Sequence, residues 1–330
     1  MRRITRVGGL LLVTVAVLAS FSATPQTTSK SKKPVKKGKT VQTKPLPQAK
    51  VDSLAFVRAD SIARAEAAQA FTDSVQRLKK EDERRRADST GAAQLRKLEN
   101  RAFGVGERLV FDVNYGVITA GEAVMAIPAY DSVAGRKCYR VEFTVNSLAS
   151  FSWIYKVEDR YFTFVDVDAI LPWKFEQHIR EGGYRRDFIA EFDQVRHVAK
   201  TSEGEYPIPP EVHDIMSAFY YVRVMDFTSA KPGDIFSLSN FYKDKTHELG
   251  VKFLGRVELE VEAGTFRTIV VEPLVKEGGL FKSEGRIVVW LSDDERKIPI
   301  RVNTKVVIGS IDTELREYSG LAGPLRARIR

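Results

Sequence analysis

The chain has 330 residues, 43% hydrophobic and 29% charged, which suffices to bury a sizeable core without cross-links. Its one cysteine, Cys138, excludes an intramolecular disulfide. The net charge of +9 comes from the first 50 residues, which hold 11 Lys and Arg and no Asp or Glu and leave 41 basic against 43 acidic residues beyond them; nucleic-acid binding, which needs a basic stripe on a folded face, is thereby excluded.

The N-terminus has the layout of a secretory signal peptide. Arg2, Arg3 and Arg6 form a positive region, the apolar run 8–21 is short for a membrane span, and Ser20, Ser22 and Ala23 offer a cleavage site. Residues 1–23 are read as this signal and the protein as exported, to the periplasm or the envelope. No cysteine near the cleavage region could carry a lipid. Residues 24–50 are rich in Lys, Thr and Pro and hold too little apolar surface to offset ordering, so they read as a disordered linker whose charge suits an anionic envelope surface. Residues 51–100 are rich in Ala, Arg, Glu and Asp and read as a charged helix. Phe71, Val75 and Leu78 give it one narrow apolar stripe, too short to decide whether it is a coiled coil.

From Phe103 the period changes to two. Leu109, Phe111, Val113 and Tyr115 share one strand face, as do Tyr184, Phe188, Ala190 and Phe192. The stretch "VELEVEAG" alternates most cleanly, predicting Val257, Leu259 and Val261 inside and the glutamates outside. Cys138 falls on the more polar face of its strand, with no base beside it, and reads as structural. "GRIVVWLS" is apolar on both faces, which predicts a strand covered on both sides. Gly-containing turns recur between about a dozen such strands over residues 101–322; residues 323–330 read as a basic tail.

One stretch breaks the alternation. "DIMSAFYYVRVMDF", from Asp214 to Phe227, has a good N-cap in Asp214, Ser217 three residues on, and apolar residues over more than half of the helix circumference. A single such helix in a β domain plugs an open sheet. The expected fold class is therefore all-β with one buried helix: a large curved antiparallel sheet or incompletely closed β-barrel, with the helix over its concave side. Arg223 is placed to meet an acidic partner such as Asp293 or Asp294, though nothing in the sequence selects it.

The pieces "GERLVFDVNYGVITAGEA", "DRYFTFVDVDAILPWKFEQHIREGGY", "DIMSAFYYVR", "GTFRTIVVEP" and "VVWLSDDERKIPIRV" follow one another in an order and spacing that resembles the bacterial exported proteins grouped as domain of unknown function 3108. The resemblance covers about residues 104–320. It implies an extracytoplasmic β-rich domain and no settled activity. Ile215 stands where the family more often has Pro after Asp, which removes a residue that pre-sets the first helical turn.

Catalytic patterns do not emerge. His178, His197, His213 and His247 stand alone, with no metal-ligand spacing. There is no G-x-S-x-G elbow and no phosphate-binding glycine loop. Glu158, Asp159, Asp166 and Asp168 read as flanking a hairpin, and Asp293 and Asp294 as a strand-end turn, rather than as two carboxyls across a glycosidic bond. The expectation leans to a non-catalytic protein with no cofactor and no metal. Two functions from different classes stay open. One is a binding module for a hydrophobic or lipid-like ligand under the helix, lined by Trp153, Tyr155, Tyr161, Met216, Phe219, Tyr220, Arg223 and Trp290. The other is a structural or assembly protein with a solid core, tethered to the cell wall or a partner. A continuous apolar cavity of several hundred Å³ favours the first, and a fully packed core the second.

Overall fold

The structure is a computed structural model and describes residues 76, 80, 95–242, 244–275, 286–306 and 309–330. The signal, the Lys-rich linker and nearly all of the 51–100 segment lie outside the described residues, as does the "KEGG" turn. Residues 76 and 80 are helical, and residues 95–100 carry no helix.

Residues 95–330 belong to one compact unit. Among the described residues, fourteen strands form one antiparallel sheet. In chain order they are β1 (Arg108–Tyr115), β2 (Ile118–Val133), β3 (Arg136–Ser147), β4 (Glu158–Asp166), β5 (Pro172–Glu181), β6 (Tyr184–Asp193), β7 (Val198–Thr201), β8 (Gly204–Pro207), β9 (Ile235–Tyr242), β10 (Lys245–Val261), β11 (Gly264–Val275), β12 (Ile287–Ser292), β13 (Pro299–Lys305) and β14 (Ser310–Ser319). Chain neighbours pair throughout, except that β1 pairs β14 and no ladder joins β8 to β9, so these two are the edges. The edges nevertheless meet: Tyr206 of β8 and Phe241 of β9 have ring centroids 6.1 Å apart, and Thr201 Oγ1 donates to Asp244 Oδ1 at 3.4 Å. The sheet is therefore rolled on itself with an open seam, the incompletely closed barrel expected from the alternation.

A short helical turn, α1 (Ala149–Ser152), links β3 to β4, and α2 (Ile215–Val224) follows β8. The chain entering α2 lies along the seam. His213 N donates to Ser239 O at 2.9 Å, and Phe241 N donates to His213 O at 2.7 Å. Thr163 of β4 donates to the Asp214 carboxylate at 2.7 Å. α2 thus hangs between β4 and β9 and contributes Met216 and Tyr220 to one core cluster and Ala218 and Val222 to another. This is the concave side, as expected.

Three local expectations differ. Val257 is 48% exposed. A register shift between Phe253 and Gly255 leaves Leu254 without a ladder partner and sets Arg256, not Val257, opposite the buried Ile269. One bulged residue moves the residues beyond it to the face opposite Phe253, which alternation alone cannot show, yet Leu259 and Val261 still pack into the main core cluster and Glu258 and Glu260 stay exposed as expected. Cys138 does not face a polar surface: it is fully buried in a small cluster with Phe164 and Trp173, and burial pushes its thiol up to about 12, in keeping with an inert structural residue. In "GRIVVWLS", Ile287, Val289 and Leu291 are buried, while Trp290 is half-buried on the other face, with the Arg301 guanidinium 6.0 Å from its ring centroid. Residues 323–330 lie against β11: Arg267 N donates to Ala327 O at 2.9 Å and Ile329 N to Thr265 O at 2.8 Å.

Candidate functional site: the hollow beside the buried helix

The first turn of α2 is fixed by its cap. The Asp214 carboxylate accepts from Met216 N (2.7 Å) and Ser217 N (2.9 Å), and Ser217 Oγ accepts from Asp214 N (3.0 Å). This is a capping box, which fixes the first helical turn with no Pro at position 215. Burial pushes the Asp214 carboxyl up, against the pull of these donors and of Thr163. Just before the cap, the buried His213 stacks on Tyr221 at 4.7 Å, and the Arg96 guanidinium lies 4.4 Å from the centroid of the same ring. Arg96 Nη2 is 3.2 Å from His213 Nε2; because a guanidinium can only donate, Nε2 accepts. Burial, then the Arg96 charge, hold this imidazole well below its ordinary pKa, so it is neutral.

One flank of α2 is solid. Arg223 is fully buried and forms a bidentate pair with Glu107, Nη1 to Oε1 at 2.6 Å and Nη2 to Oε2 at 2.7 Å. Its remaining donors reach Arg296 O and Ala102 O at 3.2 Å. Burial opposes the Arg223 charge, and Glu107 more than offsets this, leaving the guanidinium above its ordinary pKa. Phe103 and Tyr220 meet edge-to-face at 4.8 Å against this pair. The partner of Arg223 is thus Glu107, 116 positions away and immediately before β1, and not Asp293 or Asp294.

The other flank is hollow. Ile215, Ala218, Phe219 and Val222, with Met216 at the boundary, face a cavity of about 150 Å³. Its opposite walls come from eight strands, among them Phe111, Met125, Phe143, Val271, Ile287, Val289 and Val302. Among the described residues that line it, Thr313 alone has a polar side chain, and its Oγ1 is buried without a hydrogen-bond partner in the protein. Ile215 and Phe219 are half-buried, as are Phe143, Val302 and Thr313 on the facing strands.

Of the eight residues expected to line a ligand site, Met216 and Phe219 do so. Tyr220 and Arg223 belong to the solid flank. Tyr161 is buried elsewhere, in a polar knot between β4 and β5; Tyr155 packs beside Gly182, Trp153 is largely exposed on the turn after β3, and Trp290 faces away from the cavity under Arg301. The structure therefore does not bring these eight together. The walls the sequence did not reveal are mostly aliphatic and aromatic residues, one to three from each of eight strands, each resembling any other core position.

The knot around Tyr161 contains a buried carboxyl pair, Asp159 from an acid-rich stretch and Glu181 from the end of β5. Asp159 and Glu181 are both fully buried on adjacent strands, and Asp159 Oδ1 accepts from Arg180 N at 2.7 Å. Asp159 Oδ2 and Glu181 Oε1 have no donor, so a shared proton is their natural partner. Burial raises Asp159 to about 6; burial, then the Asp159 charge, raises Glu181 to about 8.

No curated protein matches the chain. In structure it is similar to a β-barrel-like protein of domain of unknown function DUF1849 from Brucella abortus, at 11% identity and a TM-score of 0.44 over 65% of this chain and 97% of that one. It is also similar to the hypothetical protein CT021 from Chlamydia trachomatis, at 9% identity and a TM-score of 0.30 over 69% of this chain and 92% of that one. Residues 110–316 match the family model "Protein of unknown function (DUF3108)", and the chain belongs to that family.

Proposed function

We propose that this protein is an exported, non-catalytic β domain of the cell envelope that holds one linear apolar chain in the hollow beside α2. Export is supported by the basic and apolar N-terminal layout, and attraction to an anionic envelope surface by the eight lysines of residues 24–50. The observation that carries the reading is a cavity walled by apolar side chains inside an otherwise packed barrel, next to a helix pinned on its other flank.

Volume limits the ligand. A lined apolar cavity of roughly 150 Å³ accepts a benzene-sized group, whereas pockets that enclose a whole drug-sized ligand run to about 300–1,000 Å³. The hollow therefore suits the end of an acyl chain whose remainder lies outside it, not an engulfed lipid. Thr313 can donate to one ester or hydroxyl oxygen on the way.

The same small volume favours the other reading, an assembly protein with a nearly solid core, because the hollow is smaller than the several hundred Å³ that would mark a dedicated carrier. Titration with a fluorescent polyene fatty acid separates the two. Saturable binding at one equivalent, lost in Val302→Phe while the melting temperature is kept or raised, supports the carrier. No saturable binding to the parent protein supports assembly.

A further inference from the structure

We propose that the end of the sheet formed by the β1–β2 turn and the α1 turn is a membrane-docking tip that inserts into the interface of an anionic bilayer. This goes beyond the ligand reading and stands without it.

Four large apolar side chains project from these two turns. Val117 is 103% exposed, Trp153 81%, Ile118 54% and Ile154 51%. The turns are neighbours: Gly121 of β2 stands opposite Ser147 of β3, and Leu148 N donates to Ala120 O at 2.9 Å. The Trp153 indole N–H donates to Ser150 O at 2.9 Å within its own turn, so the ring gives up no donor when water leaves it. Stretches 116–121 and 148–155 contain no charged residue. The flanking charges include Lys156, paired with Glu158 at 2.9 Å, and the exposed Lys305 at the end of β13. The tip itself holds no carboxylate; at its margin Glu158 and Glu122 are each ion-paired, with Lys156 and Arg316, and Lys305 is exposed, a pattern compatible with an anionic lipid surface.

Size argues for lipid over protein. A stable protein interface buries at least roughly 1,000 Å² with a shaped polar rim, which four side chains on two turns do not offer. They do suffice to enter the headgroup and acyl boundary to a depth of about 5–10 Å, where tryptophan is favoured. The location also has a consequence. Ile287 of the cavity wall stands opposite Thr304, Thr304 opposite Ile311, Ile311 opposite Tyr115, and Tyr115 opposite Ile118. The cavity wall thus reaches the same cross-strand row as the tip, and docking would set that end of the hollow against the bilayer.

The test uses the full chain and vesicles of phosphatidylethanolamine and phosphatidylglycerol with brominated acyl chains. The Trp153 emission, taken as the difference between the parent protein and Trp153→Phe, is expected to be quenched by the bromines. Combining Val117→Ser with Ile154→Ser is expected to lower vesicle partitioning about tenfold; unchanged far-UV circular dichroism checks that the fold is kept. Vesicle binding with Trp153 still open to aqueous iodide would assign membrane contact to the N-terminal residues and overturn the proposal. So would absence of binding, or protection of Trp153 that rises with protein concentration in the absence of lipid, which would make the tip a contact between copies. None of these results depends on whether the hollow is occupied.

Discussion

The two flanks of α2 are built on opposite principles. On one, Arg223, Glu107, Phe103 and Tyr220 fill the space with a desolvated ion pair and edge-to-face rings. On the other, Ile215, Phe219 and Val222 look across a hollow. An unconstrained helix would settle into such a space, because voids forfeit dispersion contacts. Here the bidentate pair, the Asp214 cap and the His213 backbone bonds to β9 fix the helix in position, and the hollow persists. Directional polar contacts on one side are what permit an underpacked apolar surface on the other.

The largest expected effect lies on the solid flank. Glu107→Ala leaves a buried guanidinium without its partner and should cost about 3 to 5 kcal/mol in denaturant unfolding, whereas replacing both partners by Leu and Met should recover much of that. A loss below about 1 kcal/mol for the single change would mean that the pair does not hold the helix. Next in size is Tyr220→Ala, at about 3 to 5 kcal/mol for a large, fully buried ring. Phe219→Ala, whose ring is half-buried beside the hollow, should cost only about 1 to 2 kcal/mol. Equal losses at the two positions would erase the distinction between the flanks.

The carboxyl pair gives a smaller, pH-dependent effect. Asp159 and Glu181 titrate higher in the fold than in the unfolded chain, at about 6 and about 8. Protons are therefore bound more tightly by the native state, and the pair's contribution is most favourable in acid. It declines as pH rises from the ordinary carboxyl range through about 8. Glu181→Gln should flatten this slope and raise stability at pH 8.5 by roughly 1 to 2 kcal/mol relative to the parent, with little change near pH 4.5. Parallel slopes in thermal melts of both proteins across that range would contradict the shared proton. The smallest effect is expected from Val302→Phe, which fills the hollow and should stabilise by about 0.5 to 2 kcal/mol.

Much of this architecture is legible in the residue pattern. Period-two alternation marks the strands, and Asp214 with Ser217 marks the start of the one long helix among the described residues. What escapes the sequence is whatever depends on register or on distance along the chain. The bulge at Leu254 moves the residues beyond it in β10 to the other face without a residue that announces it. Glu107 meets Arg223 across 116 positions, and Asp293 and Asp294 were equally plausible by charge. Aromatic character was a poor guide to the hollow, since Trp153, Tyr155, Tyr161 and Trp290 all lie elsewhere, while aliphatic residues such as Val271 and Val302, drawn from separate strands, wall it.

The central claim is that the hollow beside α2 accepts the end of an apolar chain. A crystal of the protein grown with a fatty acid brominated at its terminal carbon tests it directly through the anomalous signal of the bromine. The account predicts one peak within van der Waals contact of Phe219 and Val302. Crystals grown in saturating fatty acid that show bromine only at the surface, or no bromine peak at all, would contradict it.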